Sequence, residues 1–108
     1  MRRGCWYNIF LPRQYNDGRD VEQRKFDITS LELVERFGGM TAFQEPAFTL
    51  QGFWRFRGYL FQERLAIFGV FTEEVNAARE FLVAIKPKWK RRFRQEEIFI
   101  VEVGVELV

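Results

Sequence analysis

The chain has 108 residues, 47% of them apolar and 30% charged, with a net charge of +2; this mixture excludes a disordered, collagen-like or low-complexity protein. The length suits a single domain over residues 1–108 whose core suffices for folding without cross-links. Histidine is absent and Cys5 is the lone cysteine, which excludes an intrachain disulfide and a Cys/His zinc framework and removes the commonest general base.

The unusual quantity is aromatic content, 18% with thirteen phenylalanines. That is more ring area than a domain this small readily hides, so some of it is expected to be covered by a second copy or a ligand. The basic start Met1-Arg2-Arg3-Gly4 leads into Cys5 to Leu11, which is too short and too polar for a signal-peptide core. No run approaches the roughly eighteen apolar residues of a membrane span. A cytoplasmic, reducing location is expected, with no membrane partner.

In chain order, Cys5 to Leu11 reads as a strand with apolar bulk on both faces, as a central strand carries, and Pro12 stops it. Asn16-Asp17-Gly18 supplies turn chemistry in the loop that follows. Asp20 and Gln23 have capping-box spacing, so a helix is predicted from about Val21. Its apolar positions are Phe26, Leu33, Val34 and Phe37, widened by Ile28 and Leu31, and Gly38-Gly39 ends it. From Thr41 to Thr72 the period is two. Phe48, Leu50, Trp54 and Phe56 alternate with Thr49, Gln51, Arg55 and Arg57, Arg57-Gly58 offers a turn, and Tyr59 to Phe71 returns. Glu45-Pro46 suits an edge strand or a bulge.

Thr72, Glu73 and Glu74 make a helix N-terminus. The second helix carries Ala78, Phe81, Leu82, Ile85, Trp89 and Phe93 on one stripe, in a phase that survives Pro87, so one bent helix is predicted. After Gln95 the period returns to two. Phe99, Val101, Val103, Val105 and Leu107 are expected to face the helices, and Ile100, Glu102, Gly104 and Glu106 solvent or a partner. The order β-α-β-β-α-β predicts a ferredoxin-like α+β two-layer sandwich, in which two helices cover one face of a four-stranded antiparallel sheet and leave the other bare.

Four motifs resemble those of a family of small bacterial proteins of unknown function: Asn16-Asp17-Gly18-Arg19, Arg36-Phe37-Gly38-Gly39, Gly52-Phe53-Trp54, and Arg92-Phe93-Arg94-Gln95-Glu96-Glu97-Ile98. Together they span most of the chain. The resemblance implies the same β-α-β-β-α-β order and no activity. A richer phenylalanine content and Pro87 depart from the family pattern.

Three candidate sites follow. Trp6, Phe10, Phe53, Tyr59 and Phe61 are the rings expected on or near the open sheet face, where a homodimer would enclose them. Self-association and protein binding without catalysis is the leading functional reading. The alternative is single-stranded RNA binding. Arg57-Gly58-Tyr59-Leu60-Phe61 and Ile9-Phe10-Leu11 resemble fragments of the RNA-recognition-motif signatures, and Lys90, Arg91 and Arg94 of the basic run could hold phosphate. The competing account of that run is that cations gather at a helix C-terminus to complement its dipole. A third reading is a dimeric α+β barrel with a small ligand between sheet and helices, by analogy with oxygenases. Cys5 reads as a small buried hydrophobe, since no histidine can activate it. Glu63, Glu96, Glu97, Glu102 and Glu106 show no acid–base spacing, and no cofactor or metal motif is found.

Overall fold

A computed structural model describes residues 1–44 and 50–108. Its elements are β1 (Arg2–Pro12), α1 (Gln23–Phe37), β2 (Thr41–Phe43), β3 (Leu50–Phe56), β4 (Tyr59–Thr72), α2 (Val75–Arg92) and β5 (Ile100–Leu107). All pairings are antiparallel: β1 lies between β4 and β5, while β2 and β3 pair with different stretches of β4. The result is the ferredoxin-like α+β sandwich, but its sheet has five strands among the described residues rather than the four expected, because the second strand position is divided into two edge segments, β2 and β3. The expectations for Glu45-Pro46, Phe48 and Thr49 lie outside the described residues.

Alternation along β1 decides the two faces. Cys5, Tyr7, Ile9 and Leu11 are buried and join Ala66, Phe68 and Val70 of β4 in a core closed by Phe26 and Leu33 of α1 and Ala78, Leu82 and Trp89 of α2. Both helices therefore cover the same side. Trp6, Asn8 and Phe10 point to the other. There the Trp6 indole packs so closely on Gly69 that a Cβ at that glycine would sit 2.1 Å from the ring, and its Nε1 donates to Asn8 Oδ1 at 2.7 Å. The central strands need glycine at this position because the ring occupies the space of a side chain.

α1 starts two residues later than its capping-box spacing predicts. Glu22 is the N-cap, without a side-chain capping bond. Asp20 instead bridges to Gln14 across the loop and accepts from its Nε2 at 3.3 Å. Gly38 closes the helix at φ 82° and donates to the carbonyl of Val34 at 2.8 Å, as the left-handed cap requires. Ile28, Leu31 and Val34 are exposed, so the buried stripe is narrower than its apolar residues suggest.

α2 continues through Pro87. The carbonyl that proline leaves unbonded belongs to Val83. Val83 is exposed, on the outer side of the helix, where water can take the missing bond.

The last strand is in the opposite phase to the one predicted. Glu102 pairs with Tyr7, whose side faces the helices, whereas Val101 and Val103 pair with Asn8 and Trp6 on the open face. The acid is held on the helix side because Arg79 of α2 meets it there. Arg79 Nε and Nη2 donate to the two Glu102 oxygens at 2.6 and 2.5 Å, and the Tyr7 hydroxyl donates to Oε1 at 2.6 Å. An acid facing helices is stable once a guanidinium and a phenol satisfy it. Phe99, Val101, Val103 and Leu107 consequently stand exposed, Phe99 by 70%.

Candidate functional site

The β3–β4 hairpin turns at Arg57 and Gly58, both at positive φ, 50° and 81°, which is the two-residue turn that matches strand twist. Continuous pairing from Pro12↔Leu65 to Phe56↔Tyr59 carries the open face of β4 outward through Leu65, Glu63, Phe61 and Tyr59. Trp54 pairs with Phe61, and the two rings stack at 4.5 Å and 15°. Gly52 pairs with Glu63, so no side chain stands opposite that carboxylate.

Between this hairpin and β5 lies a groove of about 610 Å³, within the size range of small-molecule sites. Phe10, Pro12, Leu65 and Glu63 form its floor, Gly52, Phe53 and Trp54 one wall, and Phe99 and Val101 the other. Asn16, Gln95, Glu96 and Glu97 close one end. Three carboxylates and no lysine or arginine appear among the described residues that line it, in a chain with 17 cations and 15 acids.

These carboxylates differ in environment. Burial alone pushes the Glu63 carboxyl above its ordinary range, and among the described residues no donor or cation compensates it. Glu97 is held below that range by its hydrogen bond with Lys86, a 2.7 Å ion pair, and by the Ile98 amide at 2.9 Å. Glu96 is exposed at the lip.

The basic run of α2 lies elsewhere and is largely engaged. Lys86 is paired with Glu97 and Lys88 with Glu32 at 3.2 Å. Arg92 grips Glu32 with both Nη atoms, at 2.5 and 3.1 Å, and donates to the buried Thr29 hydroxyl at 2.7 Å. The Arg94 guanidinium stacks 4.6 Å from the Tyr15 ring centre, beside Lys25 and Arg19 on the same ring. Lys90 is half-buried and acts on Glu97, and Arg91 is exposed. Lys90, Arg91 and Arg94 thus sit at the helix end, outside the groove lining.

Of the five rings singled out by sequence, Trp6 and Phe10 are half-buried on the open face, and Tyr59 and Phe61 are exposed on the same side of the hairpin. Phe53 pairs with Gln62 and so alternates to the opposite side of the hairpin ribbon, although it borders the groove. Trp54, Glu63 and Phe99 are the residues that sequence reasoning passed over. Phe99 was hidden by the phase of the last strand. Glu63 had a legible signal, a lone acid between Phe61 and Leu65 on one face of an aromatic strand.

Among the described residues no helix is long and apolar enough to cross a membrane, and no group of three or more His, Cys, Asp or Glu could hold a metal ion. No protein-family model and no curated protein matches the chain. Its similarity is to solved structures. CutA1 from Oryza sativa superposes with a TM-score of 0.65 at 6% identity, over 99% of this chain and 84% of that one. A phage SAM lyase, solved in complex with S-methyl-5'-thioadenosine, superposes with a TM-score of 0.61 at 13% identity, over 96% and 90%. At such identities the likeness is one of fold, and the chain shares with both the ferredoxin-like sandwich described above.

Proposed function

We propose that this chain is a single-domain, self-associating binding module, a homodimer in a reducing cytoplasm, that works by holding a partner rather than by chemistry. The observation that carries this reading is the exposed apolar surface of the open face. Phe99 just before β5, Val101 and Val103 on β5, and Trp54, Tyr59 and Phe61 on the hairpin all stand out, on a side that neither helix covers. An exposed ring, Phe53, also flanks the hairpin on its other side. A two-stranded hairpin gains little stability alone in water, so a second copy laid against it would stabilise both. Cys5, buried in the core, fits a chain without thiol chemistry.

The test is sedimentation at about 10 μM, a concentration at which an interface burying about 800 Å² per partner is normally populated. The expected result is a dimer for the native chain, and a monomer with an unchanged circular dichroism spectrum for Phe99→Asp combined with Val103→Asp. A native chain that stays monomeric removes the reading.

Single-stranded RNA binding is the second reading, and it has its own support. Phe10, Tyr59 and Phe61 share one face, as base stacking would need. The carboxylates in the groove beside them oppose a phosphate chain, and Lys86, Lys88 and Arg92 of the basic run are paired with acids. This reading predicts salt-sensitive retention of mixed oligonucleotides, and absence of retention at low salt ends it. The barrel-like reading has less room: Trp89, Phe26, Phe68 and Phe93 are buried between sheet and helices, and the cleft found there, between α1 and the β2–β4 edge, has about 270 Å³.

A further inference from the structure

We infer that the groove on the open sheet face is a binding site for a small organic cation, an ammonium or guanidinium group on an apolar or aromatic body, with Glu63 as its counter-ion. The groove is formed within one chain but shares Trp54, Phe99 and Val101 with the surface assigned above to self-association, so the test below also reads the oligomeric state.

Four observations converge on it. First, the volume of about 610 Å³ suits a small molecule rather than a peptide or a nucleic-acid strand. Second, Phe10, Trp54 and Phe99 supply aromatic surface on floor and both walls, the environment that attracts a cation through ring quadrupoles and takes up an apolar body by desolvation. Third, Glu63 is a half-buried carboxylate for which the described residues provide neither donor nor cation. Half-burial without a partner makes the charged form less favourable than in water, and an incoming cation offsets this. Fourth, the residue paired with Glu63 is Gly52, where an added Cβ would press to 3.1 Å from Leu65 Cδ1. Leu65 takes up the place of the missing Cβ, so β3 sets no donor or cation opposite the carboxylate. Glu96 adds an exposed carboxylate at the mouth, whereas the charge of Glu97 is taken up by Lys86.

The probes are tryptamine, its neutral analogue tryptophol and its anionic analogue indole-3-acetate, titrated by calorimetry against the full chain at pH 7. Tryptamine is expected to bind about tenfold or more tightly than tryptophol, the difference that one partly desolvated charge pair supplies, and indole-3-acetate to bind least. Glu63→Gln keeps the shape and is expected to bring tryptamine and tryptophol to within about twofold of each other. Gly52→Leu, which presses on Leu65 in the groove lining while leaving Glu63 in place, is expected to abolish binding of both. Sedimentation of the same variants separates this inference from self-association, since both are expected to keep the native oligomeric state. Equal binding of the amine and the alcohol overturns the inference, as does a Glu63→Gln variant that keeps the preference. Absence of binding by all three probes at millimolar concentration overturns it too, and if Glu63→Gln then also dissociates the oligomer, the carboxylate serves a basic side chain of the second copy instead.

Discussion

Glu102 and Glu63 are both strand glutamates, yet the fold drives their carboxyls in opposite directions. Hydrogen bonds from Arg79 and then Tyr7 hold Glu102 down to about 2, while burial pushes Glu63 up. The same contact that lowers Glu102 raises the Tyr7 hydroxyl, with burial as the larger cause. The consequences for stability have opposite signs. Glu102 contributes stability that is fully present above the ordinary carboxylate range and is lost as pH falls toward about 2. Glu63 binds its proton more tightly in the folded state, so stability is lost as pH rises from the ordinary carboxylate range through its raised value. Melting temperatures of Glu102→Gln and Glu63→Gln between pH 2 and 7 check both. The first variant should melt below the native chain at pH 7 and converge with it near pH 2. The second should converge at low pH and match or exceed the native chain at pH 7. The reverse order would refute the environments assigned to the two residues.

Between elements, the contact that joins α1 to α2 is polar at its rim and aromatic beneath. Glu32 accepts from Trp89 Nε1 at 3.0 Å and from both Arg92 Nη atoms. Burial by itself raises its carboxyl, but the Arg92 and Trp89 bonds outweigh this and hold it below the ordinary range. Arg92 is only 11% exposed, against 59% for Lys88 on the same carboxylate. Glu32→Ala strands a nearly buried guanidinium and the indole N–H, and is expected to cost about 2–3 kcal/mol in urea unfolding, below a fully buried pair because Glu32 is partly wet. Lys88→Ala removes an exposed partner and is expected to cost about 0.5 kcal/mol or less. Equal effects would mean that the cluster does not lock the helices.

For the whole molecule, the radius of gyration is 14.5 Å and the longest axis 43 Å, against about 13 Å expected for the radius of a compact chain of this length. The β3–β4 hairpin runs on beyond the β1–β4 pairing, which ends at Leu65, and carries the exposed Trp54, Tyr59 and Phe61. An assembly built on these rings is held mainly by apolar burial. Its dissociation constant should therefore change by less than about threefold between 0.05 and 0.5 M NaCl, whereas phosphate contacts would weaken by orders of magnitude over that range. Sedimentation at the two salt concentrations decides between them.

Apart from the division of the second strand position into β2 and β3, the order of elements, the Gly38 cap, the Arg57-Gly58 turn and the helical stripe from Ala78 to Phe93 were legible in the sequence, because each depends on local period or on the backbone freedom of a few residues. The start of α1 was not, since Asp20 found a partner across the loop. Nor was the phase of the last strand: its alternation allows two assignments, and only the Arg79 guanidinium arriving from α2 makes the helix side the stable place for Glu102. That single long-range pairing turned Phe99 and Val101 outward to form one wall of the groove. The sequence by itself thus determined the architecture and the surplus of rings, through periodicity and composition. Where those rings meet Glu63 was decided by tertiary structure, because strand register is set by contacts distant in the chain.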